Sequence, residues 1–98
     1  MTKEVIRAVM EVLEKGENGV LVTLCSTDGS TPRKPGAKML VYPDSSIVGT
    51  IGGGSLEYQA IKKAQEVFRS KESFYWHCDL GDLGMACGGH GTVLIEYI

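Results

Sequence analysis

Apolar residues recur along the chain with two alternating periods. From Lys3 to Lys15, Val5, Ile6, Val9, Val12 and Leu13 form one stripe, with Arg7, Glu11 and Glu14 off it. That spacing predicts an amphipathic helix resting on a core, with Gly16 as its end signal. From Gly19 to Ser26 the period drops to two. Val20, Val22 and Leu24 alternate with Leu21, Thr23 and Cys25, and both sets are largely apolar. The expectation is a strand covered on both faces, with Cys25 in the core. Thr27 to Gly36 is a polar loop held by prolines and glycines. Ala37 to Tyr42 and Ile47 to Ile51 read as a hairpin around the Pro43–Ser46 turn.

Helical spacing returns from Ser55 to Arg69, where Leu56, Ala60, Ala64, Val67 and Phe68 make a stripe. Ser55 is the expected N-cap, and Glu57 lies in the first turn. Glu72 to Leu80, with Phe74, Tyr75 and Trp76, predicts a strand. A glycine-rich loop, Gly81 to Gly91, separates it from a closing strand, Thr92 to Ile98. The pattern predicts a single α+β (or small α/β) domain over residues 1–98. Its architecture is one mixed sheet of about five strands with two helices packed on it.

Composition narrows the function. A chain of 98 residues suits one domain with one modest core. A net charge of −2 and a pI near 5.6 argue against a nucleic-acid binder. No apolar run approaches the roughly 18 residues of a membrane span, and Met1-Thr2-Lys3-Glu4 is not the start of a signal peptide. The expected location is cytoplasmic. Three cysteines, Cys25, Cys78 and Cys87, do not make a disulfide framework.

Glycine departs most from the ordinary. There are 13, and eight of them lie in Gly49–Gly54 and Gly84–Gly91. Gly52, Gly53 and Gly54 stand directly before the second helical pattern. Three consecutive glycines are needed where the backbone takes unusual dihedrals or where another group approaches it. A helix opening there presents unpaired N–H groups and a positive dipole end, which suit an anion. A tight strand-to-helix turn is the other reading. Neither a P-loop lysine nor the Gly-x-Gly-x-x-Gly spacing is present. Glu57, one turn on, either orients a ligand or complements the helix dipole.

Two further segments carry candidate chemistry. Ser30-Thr31-Pro32-Arg33-Lys34-Pro35-Gly36 holds cations and no acid, and Arg33 offers a planar fork for phosphate or carboxylate oxygens. A solvated loop shaped by its prolines is the alternative. Cys87, between small residues and followed by Gly88, Gly89 and His90, would have an accessible sulfur. His77, Cys78, Cys87 and His90 are possible zinc ligands, but adjacent His77 and Cys78 on a strand point to opposite faces, so no zinc site is expected. His77 is expected to pair with a strand neighbour. No motif places a catalytic residue.

Taken together, Gly29 to Val41 (Gly-Ser-Thr-Pro-Arg-x-Pro-Gly-Ala-x-Met-Leu-Val), Gly49 to Glu57 (Gly-Thr-Ile-Gly-Gly-Gly-x-Leu-Glu), Cys87-Gly88-Gly89 and Val93 to Glu96 resemble, in that order, the XdhC/CoxI family. The resemblance implies a maturation factor for molybdenum hydroxylases such as xanthine dehydrogenase, and not a catalyst except in a sulfur-transfer sense. Such a protein would bind the molybdenum cofactor transiently, as molybdopterin or its nucleotide form, assist its sulfuration and pass it to the apoenzyme. Expected partners are a molybdenum hydroxylase apoenzyme, a cysteine desulfurase and a second copy in a homodimer, with no nucleic acid and no membrane. Typical members carry a second, Rossmann-like domain after the matched region. This chain stops at Ile98, so a separate Rossmann-like subunit is a further expected partner. The implied cofactor-binding residues are Ser30, Thr31, Arg33, Gly52, Gly53, Gly54, Glu57, Cys87, Gly88 and Gly89, with Cys87 at the molybdenum or its sulfur. Two other readings stand beside this one. The first is an interaction module that docks a Rossmann partner or apoenzyme through the edge of the terminal strand Thr92–Ile98 and binds no cofactor. The second is a fragment of a nucleotide-binding enzyme.

Overall fold

The computed structural model describes residues 2–28, 35–79 and 90–98. The elements run α1 (Thr2–Glu14), β1 (Val20–Asp28), β2 (Lys38–Val41), β3 (Ile47–Gly49), α2 (Gly54–Ser70), β4 (Phe74–Asp79) and β5 (His90–Tyr97). This is the expected α+β domain of two helices and five strands. The strands form one sheet in the order β3-β2-β1-β5-β4.

Every pairing in the sheet is antiparallel, where a mixed sheet was expected. The path of α2 is the reason. A parallel pair forms when a crossover returns a strand beside the one it left. Here α2 leaves β3 at one edge and delivers β4 to the other, so the two parallel strands never touch. The hairpin from β4 then places β5 between β4 and β1. The terminal strand is therefore interior, hydrogen-bonded on both sides, and offers no free edge. An interaction module docking through that edge loses its surface.

The alternating pattern of β1 and β2 is explained by a helix on each face. Val20, Val22, Leu24, Met39, Val41, Val93 and Ile95 face α2 and pack on its buried stripe of Leu56, Ala60, Ala64 and Val67. The two alanines let that helix lie close to the sheet. Leu40 points the other way, into a smaller core with Val5, Ala8 and Val12 of α1, flanked by Leu21 and Val48. Of the predicted α1 stripe, Ile6 and Leu13 are exposed. The buried face is turned toward Ala8, because α1 packs chiefly on β2 and β3.

Gly16 ends α1 as expected. Its φ is +67°, the Gly16 N–H donates to Leu13 O, and the Glu17 N–H donates to Val12 O, the two bonds of a Schellman motif. Cys25 is not in the core: it is exposed. The register of β1 on β5 passes from Leu24↔Val93 to Ser26↔Thr92, so Cys25 is the extra residue of a bulge and falls out of the alternation. Beyond the bulge, pairing continues to Asp28↔His90, which carries β5 back to His90.

Candidate functional site

The segment Gly49–Glu57 leads from the edge strand β3 into α2, and its glycines serve different ends. Gly49 has φ +85° and is required by packing. A Cβ built there would lie 2.6 Å from the Lys38 carbonyl oxygen and 2.5 Å from Val5 Cγ2. It is the point where α1 presses on the sheet. Gly52, Gly53 and Gly54 have φ of +121°, +74° and +66°. Three successive residues in this region make a path closed to side chains other than glycine's. At Gly53 an added Cβ would meet nothing within 4 Å among the described residues. Its glycine answers to the backbone torsion and leaves the main chain open on that side.

Gly53 is the N-cap of α2 and supplies no side-chain cap. Ser55, the expected cap, is the second residue of the helix. Glu57 takes over the role by reaching back. Its Oε1 accepts from the Gly53 N–H at 3.3 Å, the Ile51 N–H at 3.3 Å and the Thr50 hydroxyl at 2.5 Å. Thr50 Oγ1 in turn accepts from the Gly52 N–H at 3.0 Å. One carboxylate thus gathers donors that the sequence offered to an incoming anion. Glu57 is half-buried, and its charge stands at the positive end of the α2 dipole. The arrangement works like a capping box with the acid one position later.

Of the sequence-predicted site residues, the structure brings Gly52, Gly53, Gly54 and Glu57 together at the mouth of α2. Ser30, Thr31, Arg33, Cys87, Gly88 and Gly89 lie outside the described residues. Thr50 belongs to the cluster and was missed. The available signal was Thr50-x-Gly52, the spacing at which a threonine hydroxyl caps an N–H two residues on. His77 Nδ1 and Thr92 Oγ1 hydrogen bond across β4 and β5 at 2.9 Å, the strand-neighbour pairing expected for this histidine. Among the described residues, no three His, Cys, Asp or Glu side chains are grouped to hold a metal ion. No helix among them is long and apolar enough to cross a membrane.

The β2–β3 turn carries a second polar cluster. Asp44 Oδ1 accepts from the Ser46 N–H at 2.9 Å and from its hydroxyl at 2.6 Å. The Ser46 hydroxyl and N–H hold the carboxyl below its ordinary range. Gln65 of α2 donates to Ser45 Oγ at 3.0 Å, which ties the β2–β3 turn to the helix that the glycines open.

Comparison with known proteins bears on the whole domain. Residues 3–77 match the model of the XdhC and CoxI family. A relative from Escherichia coli K12, described as uncharacterized protein YqeB, is 35% identical over 81 residues, covering 78% of this chain and 15% of its own length. A solved structure from Bacillus halodurans, described as a xanthine dehydrogenase, superposes with a TM-score of 0.77 at 31% identity, covering 94% of this chain and 30% of that one. The chain therefore spans less than a third of the length of either relative. The fold agrees, and the matched segment takes in nearly all of α1 and the whole Gly49–Glu57 turn: the chain belongs to the XdhC and CoxI family.

Proposed function

We propose that this domain takes part in the maturation of a molybdenum hydroxylase by holding a molybdopterin-type cofactor at the mouth of α2. The observation that carries the reading is the Gly52–Gly54 backbone in a family member. Its three positive φ values admit no other residue comfortably, and at Gly53 nothing among the described residues lies within 4 Å of where a Cβ would stand. The relative described as a xanthine dehydrogenase supports the choice of recipient.

The residues suit such a group in a particular way. The Gly54 and Ser55 N–H groups open α2, and the first turn of a helix favours a phosphate tail. Arg33 is assigned to the same tail, with Ser30 and Thr31 beside it. Glu57 spends Oε1 on its own loop and has Oε2 with which to accept from the N–H groups of a pterin. It both shapes the loop and orients the ligand. Cys87, with Gly88 and Gly89, is assigned to the molybdenum or its terminal sulfur. The cofactor itself would supply the redox metal and the sulfur; the chain supplies binding and shielding. Sulfuration by a cysteine desulfurase, a separate Rossmann-like subunit and a cytoplasmic setting belong to the same proposal.

The test is co-elution. Purified protein is mixed with molybdopterin cofactor released from a molybdenum enzyme and desalted, and molybdenum and pterin fluorescence are read in the protein fraction. The expected result is retention by the native chain and at least ~10-fold weaker retention by Arg33→Ala and Cys87→Ala, the loss of one charge-assisted contact each. No retention by the native chain, alone or with the recipient apoenzyme, overturns the reading.

A further inference from the structure

Strand pairing gathers metal-ligand residue types at one end of the sheet. Between β4 and β5, His77 stands opposite Thr92 and Asp79 opposite His90. Between β1 and β5, Asp28 also stands opposite His90. Asp28, His90 and Asp79 therefore make one row across three neighbouring strands, and His77 is two residues from Asp79 on β4. Residues two apart on a strand, and residues directly paired, share a face. Phe74, Trp76, Val93 and Ile95 belong to the α2 core, so these four lie on the other face. There α1 packs chiefly on β2 and β3, and on β4 both Tyr75 and His77 are exposed.

The β1 bulge creates the row. Leu24 faces α2 opposite Val93. Without the extra residue Cys25, Thr27 would stand opposite His90 and Asp28 would fall on the α2 side. Bulges re-aim strand residues in this way beside functional sites. Asp28, Asp79 and His90 are placed here by backbone register, so their grouping adds to the side-chain groupings described above. The pairing also replaces Cys78, on the wrong face beside His77, with Asp79.

The surroundings point to a cation. The sequences of β1, β4 and β5 hold no Lys or Arg to balance Asp28 and Asp79. Paired positions lie ~4.5–5.5 Å apart, close enough for imidazole and carboxylate to meet on one ion. The His77 ring already has an outer partner, since Nδ1 and Thr92 Oγ1 are 2.9 Å apart. A ligating histidine is held in this way through its other nitrogen.

We infer that His77, Asp79 and His90 bind a divalent transition cation, with zinc as the reference ion. Asp28 positions His90 as Thr92 positions His77, each taking the ring N–H turned away from the metal. Two imidazoles with a carboxylate suit Zn2+ and its first-row neighbours better than Mg2+ or Ca2+. No residue of the α2 mouth takes part, so the inference is independent of the cofactor reading.

Cobalt titration of the metal-stripped full chain, kept reduced with a phosphine, tests it. Co2+ is expected to bind as a single ion with visible d–d bands and no thiolate-to-cobalt charge transfer. Zn2+ should then displace it and move the ring-proton NMR signals of His77 and His90, the two histidines of the chain. His77→Gln, Asp79→Ala and His90→Gln abolish the bands with circular dichroism unchanged. Asp28→Ala and Thr92→Val weaken binding about 10–100-fold. Asp28→Asn, which keeps an acceptor oxygen, weakens it less, and Thr92→Ser binds like the native chain. Cys25→Ser, Cys78→Ser and Cys87→Ser change nothing. A native chain that binds no Co2+ at about 100 µM overturns the inference. Bands that vanish with a cysteine, ring signals that zinc does not move in the native chain, or ligand variants that bind like it, do the same.

Discussion

Replacing Gly49 with alanine isolates what the first glycine of the Gly49–Gly54 segment does. The residue sits at φ +85°, and an L side chain there costs about 1–2 kcal/mol. Packing adds to this. The new Cβ lies 2.6 Å from the Lys38 carbonyl oxygen, a backbone atom held in the β2–β3 ladder next to the Met39↔Gly49 pair. It also lies 2.5 Å from Val5 Cγ2, a fully buried side chain of α1. Neither neighbour is the loose end of a flexible side chain, and overpacking of this kind costs about 1–3 kcal/mol. The sum, about 2–5 kcal/mol, is a large part of the ~5–15 kcal/mol that keeps a domain folded. Urea unfolding followed by far-UV circular dichroism measures it. Gly53→Ala is the control: its φ of +74° is similar, but its Cβ meets open space among the described residues. Its ψ of −169° places it in a region that only glycine takes readily, so it should lose the torsional cost alone, about 1–3 kcal/mol. In a Val5→Ala background, Gly49→Ala should cost less than in the native chain, because one of the two clashes is gone. Equal losses for Gly49→Ala and Gly53→Ala, within ~0.5 kcal/mol, would refute the packing argument.

Two further outcomes follow from the polar clusters. Glu57→Ala leaves the Gly53 and Ile51 N–H groups and the Thr50 hydroxyl without their common acceptor and is expected to cost about 1–3 kcal/mol, while Glu57→Gln keeps an acceptor oxygen and costs less; indistinguishable unfolding midpoints for the two variants would contradict this role. Asp44 is held below its ordinary value of 3.8 by Ser46, first through the hydroxyl and then through the N–H. A depressed carboxylate pKa contributes stability that is present above the unfolded value and lost as pH falls through the folded one. Carbon NMR of the Asp44 carboxyl should therefore titrate below 3.8, and Ser46→Ala should raise the midpoint while leaving it lowered by the remaining N–H; a midpoint unmoved by that substitution would remove the hydroxyl as the chief cause.

Much of this protein is written in short-range pattern. The α2 stripe of Leu56, Ala60, Ala64 and Val67, the alternation of Val20, Val22 and Leu24, and the Gly16 stop are local signals, and each element formed where its pattern stood. The need for glycine at 52 to 54 was equally local, since it is a matter of φ. Other features belong to relations between distant residues, and only the tertiary structure decided them. The sequence periodicity could not tell which side of α1 would be buried, because Ile6 and Leu13 are as apolar as Val5 and Val12; the answer rests on the helix lying chiefly on β2 and β3. Cys25 left the core through a bulge that exists only because β1 must match β5, and the antiparallel sheet follows from α2 spanning it edge to edge. The same holds at the site. Gly49 and Gly53 look alike in the sequence, yet a Cβ at one is pressed by Val5 from the start of the chain and a Cβ at the other meets no described residue within 4 Å. Glu57 read either as a residue that orients a ligand or as one that complements the helix dipole. Folding turned one of its oxygens inward, because the nearest uncapped N–H groups were those of its own loop.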